Sequence, residues 1–167
     1  MTVAAVLRDR RRPSAGRNPR FTQLRQALAD VGAEEVSLDR GSVGWLLADD
    51  LAADPPVEPW AALLPVLDPT VMGWKERAFY LGPHREALFD TAGNAGTTAW
   101  WDGRIVGCWV QDPRGVVHVE LLEEIPAAGR RALQVEADRL TAWLGGVKAY
   151  VLYASPAMVA AAARLAT

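Results

Sequence analysis

Between residues 97 and 122 the chain reads as three consecutive strands joined by tight turns, and this run restricts the possible folds more than any other feature. Thr97 to Trp101 and Arg104 to Gln111 flank Asp102-Gly103, a dipeptide that supplies the two positive φ angles of a two-residue hairpin. Pro113-Arg114-Gly115 then turns the chain into Val116 to Leu122, where Val117, Val119 and Leu121 alternate with His118 and Glu120, the pattern of a sheet with one buried face. An antiparallel meander is the simplest topology and a small barrel its closed alternative. Behind the strands, Leu133, Ala137, Leu140 and Leu144 mark the buried face of a long helix opposite Arg131, Gln134 and Asp138, and Gly145-Gly146 ends it. Lys148 to Tyr153 reads as a closing strand, and the alanine-rich residues 156 to 166 as a terminal helix.

Upstream, Asn18-Pro19 forms a helix start, with Phe21, Leu24, Leu28 and Val31 at helical spacing until Gly32. Val36 to Leu38 and Val43 to Leu47 then flank Asp39-Arg40-Gly41-Ser42, a second hairpin signal. A helix followed by a hairpin is the tail end of a winged helix, although a helix packed on any hairpin gives the same pattern. Pro55, Pro56 and Pro59 mark a linker, after which Ala61 to Val66 reads as a buried strand and Val71 to Asp90 as helical patches broken by Gly82-Pro83. The expected organisation is a basic tail over residues 1–20, a partial winged helix over 21–50, a linker over 51–60 and an α+β unit over 61–167. The fold class is thus α+β: a partial winged helix, then an antiparallel meander or small barrel packed by a long helix.

Composition excludes several function classes. No window approaches the ~18 consecutive apolar residues of a membrane span, and the start lacks a secretory apolar core, so the cytoplasm is the expected location. Cys108 is the only cysteine and His84 and His118 are the only histidines, which argues against a disulfide, a zinc site or any other metal centre. No cofactor is implied. The first twenty residues carry a net charge of +5 and the remainder about −7, so affinity for a phosphate backbone would lean on the tail unless basic groups cluster elsewhere. The tail equally fits a disordered, solvated end.

Few side chains form a recognisable chemical constellation. Glu34-Glu35, Asp49-Asp50 and Glu123-Glu124 are adjacent in sequence, and neighbours on a strand or helix do not face one another, so these pairs read as solvated surface. His84 follows Gly82-Pro83 and precedes Arg85, a turn suited to presenting an imidazole and a guanidinium to a phosphate, or simply to bending the backbone. His118 reads as the outward residue of its strand. Gly93-Asn94-Ala95-Gly96 precedes a strand instead of opening a helix, which is the wrong context for a phosphate cradle. Seven tryptophans suit core filling for the most part, with base stacking or a ligand pocket as the alternatives.

Leu63-Leu64-Pro65 with Asp68-Pro69, Met72 to Arg77, Tyr80 to His84, Leu88-Phe89-Asp90, Gly93 to Gly96, Trp101 to Gly107 and Trp109 form an ordered series of short motifs. From about Thr22 to Val147 it resembles the C-terminal part of the bacterial winged-helix DNA-binding family that includes the alkylpurine and interstrand-crosslink DNA glycosylases. The resemblance implies several winged-helix units and a small barrel-like region around a basic concave surface for duplex DNA. It also implies that cleavage depends on a glutamine-x-glutamine or glutamine-x-aspartate motif near the N-terminus. Here Gln23 and Gln26 have two residues between them and Gln111 directly precedes Asp112, so no catalytic residue carries over, and the chain alone is not expected to activate water against a glycosidic carbon. Lys75, Arg77, His84, Arg85 and Arg104 remain as candidate DNA contacts, by charge and turn placement. Lys75 and Arg77 have an internal alternative in pairing with Glu76, Asp68 or Asp90. The implied function is DNA association as a repair accessory, with duplex DNA and a protein supplying the missing winged-helix region as partners. A binding module for a small apolar ligand or a protein, using the tryptophan-rich strands, is the rival, and an active glycosylase a more distant one.

Overall fold

The computed structural model describes residues 19–38, 43–51, 55–73 and 75–166. The arginine-rich tail, the turn at 39–42 and Trp74 lie outside the described residues. The chain divides into two compact units, Met1–Val57 and Glu58–Thr167.

In the first unit, helix α1 (Pro19–Asp30) leads into strands β1 (Glu34–Ser37) and β2 (Val43–Leu46). The strands pair antiparallel from Glu34 opposite Leu46 to Ser37 opposite Val43, and a single 3-10 turn follows at Ala48–Asp50. The apolar periodicity of α1 does produce the helix, but it finds little to bury against. From Thr22 to Asp30 only Leu28 is half-buried, and Val31 just beyond is 62% exposed.

The second unit is a four-stranded antiparallel sheet in the order β3-β4-β5-β6 (Ala61–Leu64, Thr98–Trp101, Arg104–Gln111, Val117–Leu121). The sheet is open, so the meander holds and the barrel does not. Asp102 at φ 49° and Gly103 at φ 79° make the β4–β5 turn, as the mirror-image hairpin geometry requires. Pairing slips from Trp100–Ile105 to Ala99–Gly107. This bulge lets Ile105 and Cys108 share one face although three residues apart.

Both faces are covered, which corrects the reading of a sheet buried on one side. On one face α5 (Ala127–Leu144) packs Leu133 and Ala137 against Ala99, Val106, Trp109 and Val117. It seats closely because Gly129 has no side chain; a Cβ there would lie 2.9 Å from Cδ2 of Trp101. The other face takes the short helices α2 (Pro69–Met72), α3 (Ala78–Leu81) and α4 (Arg85–Leu88), with α6 (Pro156–Leu165) beside them. There Val71, Tyr80, Leu88 and Phe89 meet Trp100, Ile105, Cys108 and Met158. Leu88 is fully buried, a contribution of about 1.5–3 kcal/mol against leaving it exposed. Glu120 therefore points not to open solvent but to Arg164 of α6, at 2.7 Å.

The expected closing strand at Lys148 to Tyr153 does not form; the segment is irregular. Its place beside the sheet is held by one side chain, since Gln111 donates from Nε2 to the Val147 carbonyl (3.1 Å) and accepts at Oε1 from the Ala149 N–H (2.8 Å). A single amide cannot propagate a ladder, and Val147, Tyr150 and Leu152 stay exposed. No described helix is long and apolar enough to cross a membrane.

Candidate nucleic-acid interface

The stretch from Asp68 to Glu86 carries four of the five side chains singled out by sequence, and one side-chain cap and a few longer-range hydrogen bonds shape it. Asp68 accepts from the Thr70 N–H at 2.8 Å and so starts α2 at Pro69. The Tyr80 hydroxyl donates to the Thr70 carbonyl (2.8 Å), fixing α3 to α2. Burial raises the Tyr80 phenol above its ordinary value against the opposing influence of Arg77, so it stays a neutral donor. Asp90 closes the stretch: its carboxylate accepts from the Asn94 amide and from the Asn94 and Ala92 N–H groups, at 2.8–2.9 Å. The Asn94 bonds, foremost that of its side chain, lower the Asp90 pKa. Gly93-Asn94-Ala95-Gly96 is thus a turn organised around a carboxylate, not an anion site.

Within this frame the cations separate. Arg77 is half-buried; its guanidinium donates to the Val71 carbonyl and sits 5.0 Å from the centroid of Phe89. Its Nε is buried and has no partner among the described residues. Arg85 lies 5.0 Å from the same ring but is exposed, as is Lys75. Among the described residues neither Lys75 nor Arg85 has an ion-pair partner, and the same holds for Arg131 and Lys148. Among the described residues no ion pair joins Lys75 or Arg77 to Asp68 or Asp90.

His84 and Arg104 meet at a carboxylate that sequence reasoning assigned to solvated surface. Nε2 of His84 lies 2.8 Å from Oε2 of Glu123, and Nη2 of Arg104 lies 3.3 Å from the same oxygen. The His84 side chain is only 9% exposed, whereas that of Arg104 is 53% exposed. An ionised carboxylate accepts only, so Nε2 carries the proton of this bond. His84 thus faces inward while the next residue, Arg85, faces out. Glu124 behaves as its neighbour was expected to, exposed and paired only with Arg130. No local signal could have found Glu123, because it reaches His84 from 39 residues away through the β5–β6 pairing.

His118, also expected to point outward, is tied back to Asp112 at 3.3 Å. Burial alone would raise the Asp112 carboxyl, but the Val116 N–H, His118, and the N–H and guanidinium of Arg114 outweigh it and bring the pKa down to about 2. This is a turn clamp. Trp100 and Trp109 are core residues with satisfied indoles, donating to Thr98 Oγ1 and the Leu64 carbonyl, while Trp60 and Trp143 are exposed. An open pocket of about 360 Å³ beside Trp109 is lined mainly by apolar side chains with Lys148 at its edge. Among the described residues no group of His, Cys, Asp and Glu could hold a metal ion.

Comparison with known proteins places this arrangement. No curated protein matches the chain. The solved structure of the Streptomyces sahachiroi DNA glycosylase AlkZ is similar in fold, with a TM-score of 0.58 at 23% sequence identity over 76% of this chain. The matched region is 35% of that enzyme, so the chain spans about a third of its length. The model of the family described as DNA glycosylase AlkZ-like matches residues 15–143. The motif series, the antiparallel sheet and the strip of short helices thus lie within one family match, and the chain belongs to the AlkZ-like DNA glycosylase family.

Proposed function

We propose that the chain is a DNA-associating, repair-linked member of this family that does not cleave glycosidic bonds by itself. The observation that carries the reading is the placement of Lys75 and Arg85 on one short stretch: like Arg131 and Lys148 elsewhere in the unit they are exposed and without ion pairs among the described residues, whereas Arg104, Arg114, Arg130, Arg139 and Arg164 are each matched to a carboxylate. An unmatched exposed cation is free to neutralise a phosphate, and releasing the counterions of that phosphate drives association. In this reading Lys75, Arg85 and the exposed part of Arg104 contact DNA, while Arg77 and His84 hold the scaffold that presents them. The lack of a glutamine-x-glutamine or glutamine-x-aspartate pair in the sequence supports the absence of intrinsic hydrolysis.

The same proposal covers the domain plan: a basic tail over 1–20, a partial winged helix over 21–50 in which α1 and the β1–β2 hairpin are the last elements, a linker over 51–60, and the α+β unit over 61–167. Leu24 and Val31 are 38% and 62% exposed. This uncovered apolar stripe is what supports a protein partner completing the winged-helix region. The working location would be the cytoplasm of a bacterium, where such DNA lies.

Fluorescence-anisotropy titration of labelled duplex at several salt concentrations tests the interface. The double substitution Lys75→Ala/Arg85→Ala should reduce the slope of log K against log salt by about 2. An unchanged slope would remove this face from the interface. Incubation with alkylated duplex should release no base, and release of base by the chain alone would overturn the non-catalytic half of the proposal.

A further inference from the structure

Among the described residues of the α2–α4 strip, Phe79 is the large apolar side chain that stands in solvent, with 71% of its surface exposed. It is not a loosely held ring. Its edge meets Tyr80 at a centroid distance of 4.8 Å and an interplanar angle of 79°. Tyr80 is buried, anchored through its hydroxyl to the Thr70 carbonyl, and packed 5.3 Å from Trp100 of β4. Trp100 in turn stacks on Trp60 at 6.4 Å and 16°. A row of four aromatic rings therefore runs from the sheet out to a braced ring at the surface. Bracing matters because a ring whose position is already fixed loses little conformational freedom when a ligand stacks on it.

The surroundings identify the ligand by chemistry. Phe79 lies between Lys75 and Arg85 in sequence, two of the exposed cations without ion pairs among the described residues, and two residues from Arg77. A short stretch of chain that carries an exposed apolar ring within a few residues of exposed cations suits a ligand that is aromatic and anionic at once, which describes a nucleobase on its phosphate backbone. Bases inside an intact duplex already stack on one another, so the ring can take only a base that is unpaired or out of the stack.

We propose that Phe79 is a stacking platform for an unpaired nucleobase of a DNA strand held by Lys75 and Arg85. This inference rests on the DNA reading above and adds a preference to it: the domain distinguishes DNA with an extrahelical base from perfect duplex. No bond is made or broken, so the site senses structure and does no chemistry.

The test uses the full chain and two duplexes of the same sequence, one with a single bulged 2-aminopurine, followed by both anisotropy and aminopurine fluorescence. The wild type should bind the bulged duplex about 10-fold more tightly and change the aminopurine emission on binding. Phe79→Ala and Phe79→Leu should both lose that preference and the emission change while binding perfect duplex as before, and Phe79→Tyr, which keeps the ring, should retain them. Because the ring is exposed, all three variants should melt with the wild type. Unchanged bulge preference in Phe79→Ala, or no preference in the wild type, refutes the stacking platform and leaves DNA association standing. Failure of the wild type to bind either duplex at low salt overturns both.

Discussion

Gly129 gives the sharpest test of how α5 sits on the sheet, because two effects of one methyl group oppose each other there. Gly129 is buried near the start of α5. On an open helix, replacing glycine by alanine stabilises by about 0.5–1 kcal/mol through the lost freedom of the unfolded backbone. Here the new Cβ would stand 2.9, 3.0 and 3.1 Å from Cδ2, Cε2 and Cγ of Trp101. These are atoms at the centre of a rigid indole, not the end of a flexible chain, so either the ring or the helix must move. Overpacking of this kind costs about 1–3 kcal/mol. The clash exceeds the propensity gain, and Gly129→Ala should destabilise the chain by about 0.5–2 kcal/mol. Trp101→Leu removes the ring while keeping an apolar residue on β4, and in that background the sign should reverse, with Gly129→Ala now stabilising by about 0.5 kcal/mol. Urea unfolding followed by circular dichroism at 222 nm reads the four proteins of this double-mutant cycle without depending on tryptophan emission. A Gly129→Ala protein more stable than wild type in the Trp101 background would refute the close seating of α5.

Two further substitutions probe the carboxylate clamps. The Asp112 pKa is depressed to about 2 from its ordinary 3.8, so the stability it supplies is fully present above 3.8 and is lost as pH falls from there through about 2. Thermal melts of wild type across this window should fall more steeply than those of Asp112→Asn, and parallel curves would deny the carboxylate its role. Glu123→Ala leaves the buried His84 Nε2–H without its acceptor and should cost about 1–3 kcal/mol, whereas Glu123→Gln keeps an acceptor and should lose less. Equal losses in chemical denaturation would mean that the amide cannot replace the carboxylate in orienting His84.

The parts of this fold that could be read from sequence are those fixed within a few residues. Asp102-Gly103 specifies its hairpin because both backbone angles are set inside the dipeptide. α5 was visible because its apolar spacing is sustained to Gly145, which closes it in the left-handed conformation. What depended on distant partners was not legible. The alternation in β6 says nothing about α6, so a face that looked solvated is covered, with Glu120 meeting Arg164. Val147 to Tyr153 has strand-forming residues, but whether such a run pairs depends on a neighbouring backbone edge, and the side chain of Gln111 holds it instead. Of the candidate contacts, Lys75 and Arg85 were singled out by charge and turn placement and are exposed; the inward turn of His84 could not be read without Glu123.

The stretch from Asp68 to Asp90 is built from one-turn helices whose placement depends on what lies beneath them. Helices of one turn have no stability of their own in water, since nucleation is unfavourable and there is no length over which to recover it. α2, α3 and α4 each span four residues, so the positions of their side chains depend on the contacts beneath. Those contacts converge on two rings: Tyr80, which ties α3 to Thr70 and to Trp100, and Phe89, against which Arg77 and Arg85 both rest. Phe89 is itself only 5% exposed and is bridged to Ala95. A cation resting on a fixed ring is confined without being neutralised, because the ring attracts it through its quadrupole yet carries no net charge. A carboxylate in the same place would confine Arg85 equally well but would cancel its charge. Arg85 on the Phe89 ring thus keeps its charge unmatched among the described residues, whereas Arg104, half-exposed, meets the carboxylate of Glu123.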